Sequence, residues 1–210
     1  MKSSRGQLDG LDTAGLNIAL SEATCLGLDV DIETKRLHLD LAVLTLPEGA
    51  QPDGTERTTP EEPKVRLTFN GVSRVAASLR QHRWDDNEPH VLPLELSGLS
   101  EAIASFGGGR LHGREFIDID DSGWMLWSEL LSFDTAIDQR ISPHVLEFSQ
   151  EEGINPRELD IRLWFETIII QDSNGDEVPL PDFVSGGVRW WSAHDVGDPR
   201  TVHPGIAPPL

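Results

Sequence analysis

Residues Cys25–Leu46 read CLGLDVDIETKRLHLDLAVLTL. Leu26, Leu28, Val30 and Ile32 alternate with Gly27, Asp29, Asp31 and Glu33. Beyond the polar Glu33-Thr34-Lys35-Arg36, the residues Leu37, Leu39, Leu41 and Val43 alternate with His38, Asp40 and Ala42. Successive side chains of a strand point to opposite faces, so a period of two on both sides of a polar turn predicts an antiparallel hairpin. One of its faces is apolar and the other wet, as antiparallel sheets allow.

The same rhythm recurs downstream. Lys64–Arg80, KVRLTFNGVSRVAASLR, alternates at Val65, Leu67 and Phe69, with Asn70-Gly71 as a turn or bulge before the pattern resumes. Val91–Leu96 reads as a short strand that Pro93 pushes toward a sheet edge. Arg114–Phe133 is strand-like around an Asp120-Asp121-Ser122-Gly123 turn, and Ser142–Ser149 follows. Leu159–Gln171, LDIRLWFETIIIQ, is one strong strand running into the hairpin turn Asp172-Ser173-Asn174-Gly175-Asp176. Two helices stand out. Leu99–Phe106 is short and ends at Gly107-Gly108-Gly109. Asp182–Asp195, DFVSGGVRWWSAHD, places Phe183, Gly187, Trp190 and His194 on one face, with Asp182 as N-cap. The expected architecture is α+β, mostly antiparallel sheet, with one short central helix and one C-terminal helix.

The chain is 210 residues long, enough for one full-sized core, and a single domain over 1–210 is expected. Residues 1–15 are polar and read as a loose N-terminal segment, and 199–210 as an extended proline-rich tail. Residues 47–63, PEGAQPDGTERTTPEEP, form a long acidic loop inserted between neighbouring strands.

Asp+Glu number 36 against 17 Lys+Arg, a net charge of −19. Such a surface repels phosphate backbones and anionic headgroups, which excludes nucleic-acid and peripheral membrane binding. No apolar run approaches the roughly 20 residues that span a bilayer, and Met1–Gly10 has no apolar signal region. With a single cysteine there is no intrachain disulfide framework. The expectation is a cytoplasmic protein.

Two stretches carry metal-ligand chemistry. Asp118, Asp120, Ser122 and Glu129, with Gly123 between them, match the spacing of a calcium loop, in which hard oxygens stand at loop positions one, three, five and twelve. The apolar Trp124–Trp127 inside it and the strand before it also fit a plain acidic hairpin turn. His194, Asp195, Asp198 and His203 place two imidazoles and two carboxylates within ten residues, a set suited to a divalent metal or to acid/base work. The other reading makes His194 a packed residue of the helix face and the aspartates caps. Cys25 lacks a nucleophile's surroundings, and there is no G-x-S-x-G elbow or phosphate-binding loop. No complete catalytic constellation is present, which leans against an enzyme, and no cofactor is predicted. Trp84, Trp190 and Trp191 lie next to charge and are candidates for aromatic anchors at an interface, with core packing as the alternative.

Val178–Leu210, containing PLPDFVSGGVRWWSAHDVGDPRTVHPGIAPPL, resembles the C-terminal ends of uncharacterised bacterial proteins of similar length. TFNGVSRVAASLR and the strand openings Pro89-His90-Val91-Leu92 and Pro143-His144-Val145-Leu146 resemble sheet-rich bacterial toxin-immunity proteins. That resemblance implies a meander presenting an acidic face to a basic partner, and it assigns no residue. The leading expectation is a non-catalytic protein-interaction module with an acidic face and a basic protein partner. The alternatives are a metal-dependent enzyme or metal-binding protein using one of the two stretches, and a small-ligand-binding sheet or barrel.

Overall fold

The computed structural model describes residues 11–49, 62–82, 88–117, 127–152 and 156–209. Its described elements in chain order are α1 (Thr13–Ala19), β1 (Thr24–Asp31), β2 (Arg36–Ala42), β3 (Lys64–Asn70), β4 (Arg74–Gln81), β5 (His90–Val91), α2 (Leu99–Ser105), β6 (His112–Ile117), β7 (Phe133–Ala136), β8 (His144–Glu151), β9 (Arg157–Phe165), β10 (Thr167–Asp172) and α3 (Leu180–Asp195). Short 3-10 turns precede α2 (Leu96–Gly98) and follow α3 (Pro199–Thr201). The fold is α+β with mostly antiparallel sheet. One sheet runs β1-β2-β3-β10; the other runs β5-β4-β9-β8-β6, and β7 also pairs with β4.

The expected hairpin is β1 and β2, paired from Thr24↔Ala42 to Asp31↔Arg36. Two of its apolar side chains are not inward. The register slips between Cys25 and Gly27, so Cys25 and Leu28 are buried while Leu26 is exposed. Ile32 lies past the strand end and is also exposed. The acidic loop does connect neighbours, since β2 pairs with β3 along its whole length.

The stretch expected to be one strand, Leu159–Gln171, is two. β9 belongs to the six-stranded sheet and β10 to the four-stranded one. Its partner divides in the same way, into β3 and β4 at Gly71. Asn70 faces Thr167 and Arg74 faces Trp164, so residues 71–73 oppose only 165–166. That extra residue is a bulge, and it bends a single two-stranded ribbon from one sheet into the other. Gly71 supplies the corner with φ +63°, a left-handed value that side chains disfavour. The corner is tied on both sides by Glu166 N–H to Asn70 C=O (2.9 Å), Ser73 N–H to Trp164 C=O (2.9 Å) and Val72 N–H to Lys35 C=O (2.9 Å). At the far side, Cys25 N–H to Gly109 C=O and Leu111 N–H to Ala23 C=O join β1 to the approach to β6.

The two sheets therefore enclose one core. Leu37, Leu39, Leu67 and Phe69 face Ile161, Leu163, Phe165 and Phe148, all essentially inaccessible to water. Phe69 and Phe165 meet edge-on across the corner at 4.9 Å. Side chains of both sheets pack together in this core.

α1 begins inside the segment read as loose. Asp12 caps it by accepting from Gly15 N–H at 2.8 Å, and Leu16 and Leu20 are buried. α3 begins at Leu180, two residues before the expected N-cap, with Pro181 in its first turn. The Gly186-Gly187 pair inside α3 has a packing reason. A Cβ on Gly187 would stand 2.5 Å from Ala19 Cα, and one on Gly186 would stand 2.2 Å from Thr45 Oγ1. Glycine there lets α3 lie directly on α1. Val91–Leu96 is a strand only over His90–Val91, and the turn Trp127–Leu130 replaces part of the strand expected over Arg114–Phe133.

Gly187→Ala is expected to lower stability by about 1–3 kcal/mol, because backbone cannot retreat as a side-chain end can. Gly27→Ala, at a strand position with nothing within 4 Å, is expected to be neutral or slightly stabilising. Urea unfolding midpoints of the two variants check the contrast.

Candidate functional site

The outward face of the six-stranded sheet carries charge under cover. Along β9 the residues Glu158, Asp160, Arg162 and Trp164 share this face, as do Arg74, Ala76, Ser78 and Arg80 along β4. Asp160, Arg162 and Arg80 are each at least nine-tenths buried. Arg80 Nη2 donates to Asp160 Oδ2 at 2.5 Å and to Glu158 Oε2 at 2.8 Å. Arg162 Nε donates to its cross-strand neighbour Glu147 at 2.8 Å and lies under the Trp127 ring, 4.8 Å from its centre. The cover is the segment Trp127–Ser132. It is held down by Ser78 Oγ–H to Leu130 C=O (2.5 Å) and Ser132 N–H to Ala77 C=O (2.8 Å). Trp127 and Leu131 pack there against Ala76, Val145 and Trp164.

Burial pushes the Asp160 carboxyl up to about 6, with Glu158 and Glu147 acting in the same direction and Arg80 and Trp127 against it. Ion-pair networks that stitch strands perturb pKa values as active sites do. Each cation here is paired with a carboxylate of the same sheet, so the ladder reads as architecture. Arg162, Trp164 and Glu166 alternate in the sequence with Ile161, Leu163 and Phe165, but nothing in that pattern signals that Trp127 covers the face.

The C-terminal stretch divides its four candidate ligands among separate partners. His194 is buried, stacked on Trp190 (5.1 Å between ring centres), with Nε2 hydrogen-bonded to Ala207 C=O at 3.0 Å. Asp195 is exposed at the helix end. Asp198 caps the 3-10 turn through Arg200 N–H and pairs with the Arg200 guanidinium, which holds its carboxyl down at about 2. His203 Nε2 donates to Glu62 Oε1 at 2.8 Å, while its Nδ1 accepts from Gly205 N–H at 3.2 Å. Both ring nitrogens of His203 are thus occupied in holding the tail. The cleft beside it, between Thr45, Glu62, Trp190 and Thr201, has about 20 Å³, room for one water. Among the described residues no three His, Cys, Asp or Glu side chains converge as metal ligands. The expected His194–His203 cluster is therefore not assembled as one. Asp118, Asp120 and Ser122 lie outside the described residues, and Glu129 is exposed in the turn after Trp127.

The aromatic anchors need a correction. Trp190 is 3% exposed and packed between Trp191 and His194, so it is a core residue. Trp191 is half-buried, set edge-on against both. Trp84 lies outside the described residues. Cys25 is buried, and burial raises its thiol to about 11, which leaves it protonated and unreactive at neutral pH.

The surface shows a consistent charge economy. Arg66 holds Asp40 through two parallel bonds (2.7 and 2.9 Å), Arg74 holds Asp134, Arg157 holds Glu152 and Arg140 holds Glu166. Arg189 donates to Leu46 C=O, and Arg114 to Ser21 and Leu111 C=O. Most of the described arginines are thus tied to partners within the fold, whereas Arg36 and Lys64 are exposed. The open face of the four-stranded sheet is mixed, because Arg36, Lys64 and Arg66 stand among Asp29, Asp31 and Asp40. Uncompensated carboxylates gather elsewhere. Asp176, Glu177 and Asp182 lie around the β10–α3 turn, and Glu95 and Glu101 lie beside α2, all exposed and without an ion-pair partner among the described residues.

At α2 those carboxylates flank an open groove of about 440 Å³. Pro93, Leu94 and Ala102 line it together with Glu95, Glu101 and Ser105. Leu99 and Ile103 turn inward from the same helix and are buried. Pro93 and Leu94, expected to be strand, instead line this groove.

Comparison with protein-family models, curated proteins and solved structures returns no match. The likeness of the C-terminal stretch therefore brings no residue role with it. Among the described residues, no helix is long and apolar enough to cross a membrane.

Asp160 makes a pH prediction. A carboxyl whose folded pKa lies above its ordinary value costs the folded state when ionised, so its contribution improves as pH falls through 6 toward 4. From about 6 against the ordinary 3.8, the gain between pH 7 and pH 5 is about 1 kcal/mol. Urea unfolding at the two pH values is expected to show a gain in the wild type larger by about that amount than in Asp160→Asn. Equal gains would contradict the buried-carboxylate account.

Proposed function

We propose that this protein is a non-catalytic interaction module that presents surplus carboxylates to a basic protein partner. One observation carries the reading. The described arginines are largely committed to partners within the fold, and the sequence as a whole carries 36 acidic against 17 basic side chains, a net charge of −19. Charge complementarity of this kind raises association rates and selects partners more than it adds raw affinity. The same charge opposes nucleic acid and anionic lipid. Packing supports the reading as well, since the space between the sheets is filled by side chains and serves stability.

The test is a retention experiment on the immobilised full chain, with basic, neutral and acidic proteins of similar size offered together. Basic proteins are expected to be retained at about 0.02 M salt and released by about 0.5 M, where screening shortens the reach of surface charges to a few ångströms. Retention that ignores salt, or that favours neutral proteins, would overturn the proposal.

A further inference from the structure

From the groove beside α2, we infer that the docking site is this groove and that its occupant is a cationic, amphipathic segment of a partner protein. The inference rests on the interaction reading above and names the place and chemistry of the contact.

Three features of the groove select that occupant. The groove is open and is lined in part by the apolar Pro93, Leu94 and Ala102, so it rewards burial of an aliphatic side chain. Glu95 and Glu101 line it too, both exposed, and neither has an ion-pair partner among the described residues. An arriving Lys or Arg therefore displaces no existing pair. The support beneath is firm: α2 is anchored by Leu99 and Ile103, at 0% and 2% exposure, and packs against β1. A rigid platform keeps the ordering cost of binding on the partner's side. A second copy of this chain is disfavoured as occupant, because two bodies of net charge −19 repel one another. Nucleic acid and anionic lipid fail for the same reason. What remains is a protein segment with Lys or Arg on either side of an aliphatic residue.

Two synthetic peptides of equal positive charge separate this inference from general attraction. One alternates Lys with Leu and Ala, and the other replaces each Leu by Ser. Binding is followed by NMR shifts on the full chain and by fluorescence titration at low salt. The Leu-containing peptide is expected to bind more tightly and to shift the amides of Leu94, Glu95, Glu101 and Ala102. Glu95→Gln with Glu101→Gln is expected to weaken it roughly tenfold. Asp176→Asn with Glu177→Gln removes the same charge elsewhere and is expected to change binding less than about twofold. All four carboxylates are exposed, and unfolding midpoints confirm that both variants fold. If the two peptides bind alike, with shifts spread over the surface and both double variants equally weakened, the groove is overturned while the acidic-module reading stands. If neither peptide binds at low salt, both fall.

Discussion

The structure depends on one corner. A two-stranded antiparallel ribbon, residues 64–81 against 157–172, serves both sheets, and it changes sheet at a bulge where 71–73 oppose 165–166. Gly71 supplies the left-handed backbone there, and Phe69 and Phe165 pack edge-on beneath it. Because the same ribbon runs through both sheets, as the inner pair β4–β9 of one and the edge pair β3–β10 of the other, neither can form its hydrogen bonds without fixing the orientation of the other. The buried core, the outward charge ladder and the platform under α2 all take their positions from that bend.

The bend also decides how charge is used. On the six-stranded sheet the pleat that sends Ile161 and Leu163 inward sends Asp160 and Arg162 outward. The segment Trp127–Ser132 then covers them. Burying Arg80 and Arg162 demands carboxylates in contact, and cross-strand Glu147 and Glu158 with Asp160 provide them. Lys35 is likewise paired with Asp138, next to the corner that Val72 N–H ties to Lys35 C=O. Most of the described arginines are thereby paired within the fold.

Much of the fold was legible because half-buried strands write their faces into the sequence. The β1–β2 hairpin, the Asn174-Gly175 turn and the two later helices followed from period and breakers. The failures are instructive. Leu159–Gln171 keeps its alternation through Glu166, and alternation carries no record of which sheet a strand is in. Leu26 and Ile32 fit the apolar phase, but a bulge and a strand end put them outside. α1 has only two turns and an interior glycine, so its pattern is too short to read; Asp12 ahead of it was the available signal. In the site, the carboxylates near α2 were visible as single residues. Their grouping around Pro93 and Leu94 needs tertiary structure, since a proline-bearing apolar stretch reads equally as an edge strand. His194 and His203 are near in sequence, yet one bonds the chain's last residues and the other bonds Glu62, far away in the chain.

Native-state hydrogen exchange tests the central claim, that the bent ribbon makes the two sheets one cooperative unit. Amides on both sides of the corner, Val72, Ser73 and Glu166, are expected to exchange only through global unfolding, with the same free energy as core amides of β2 and of β8. If the corner amides exchange readily, or if the two sheets open with separate free energies, the ribbon is not the element that holds them together.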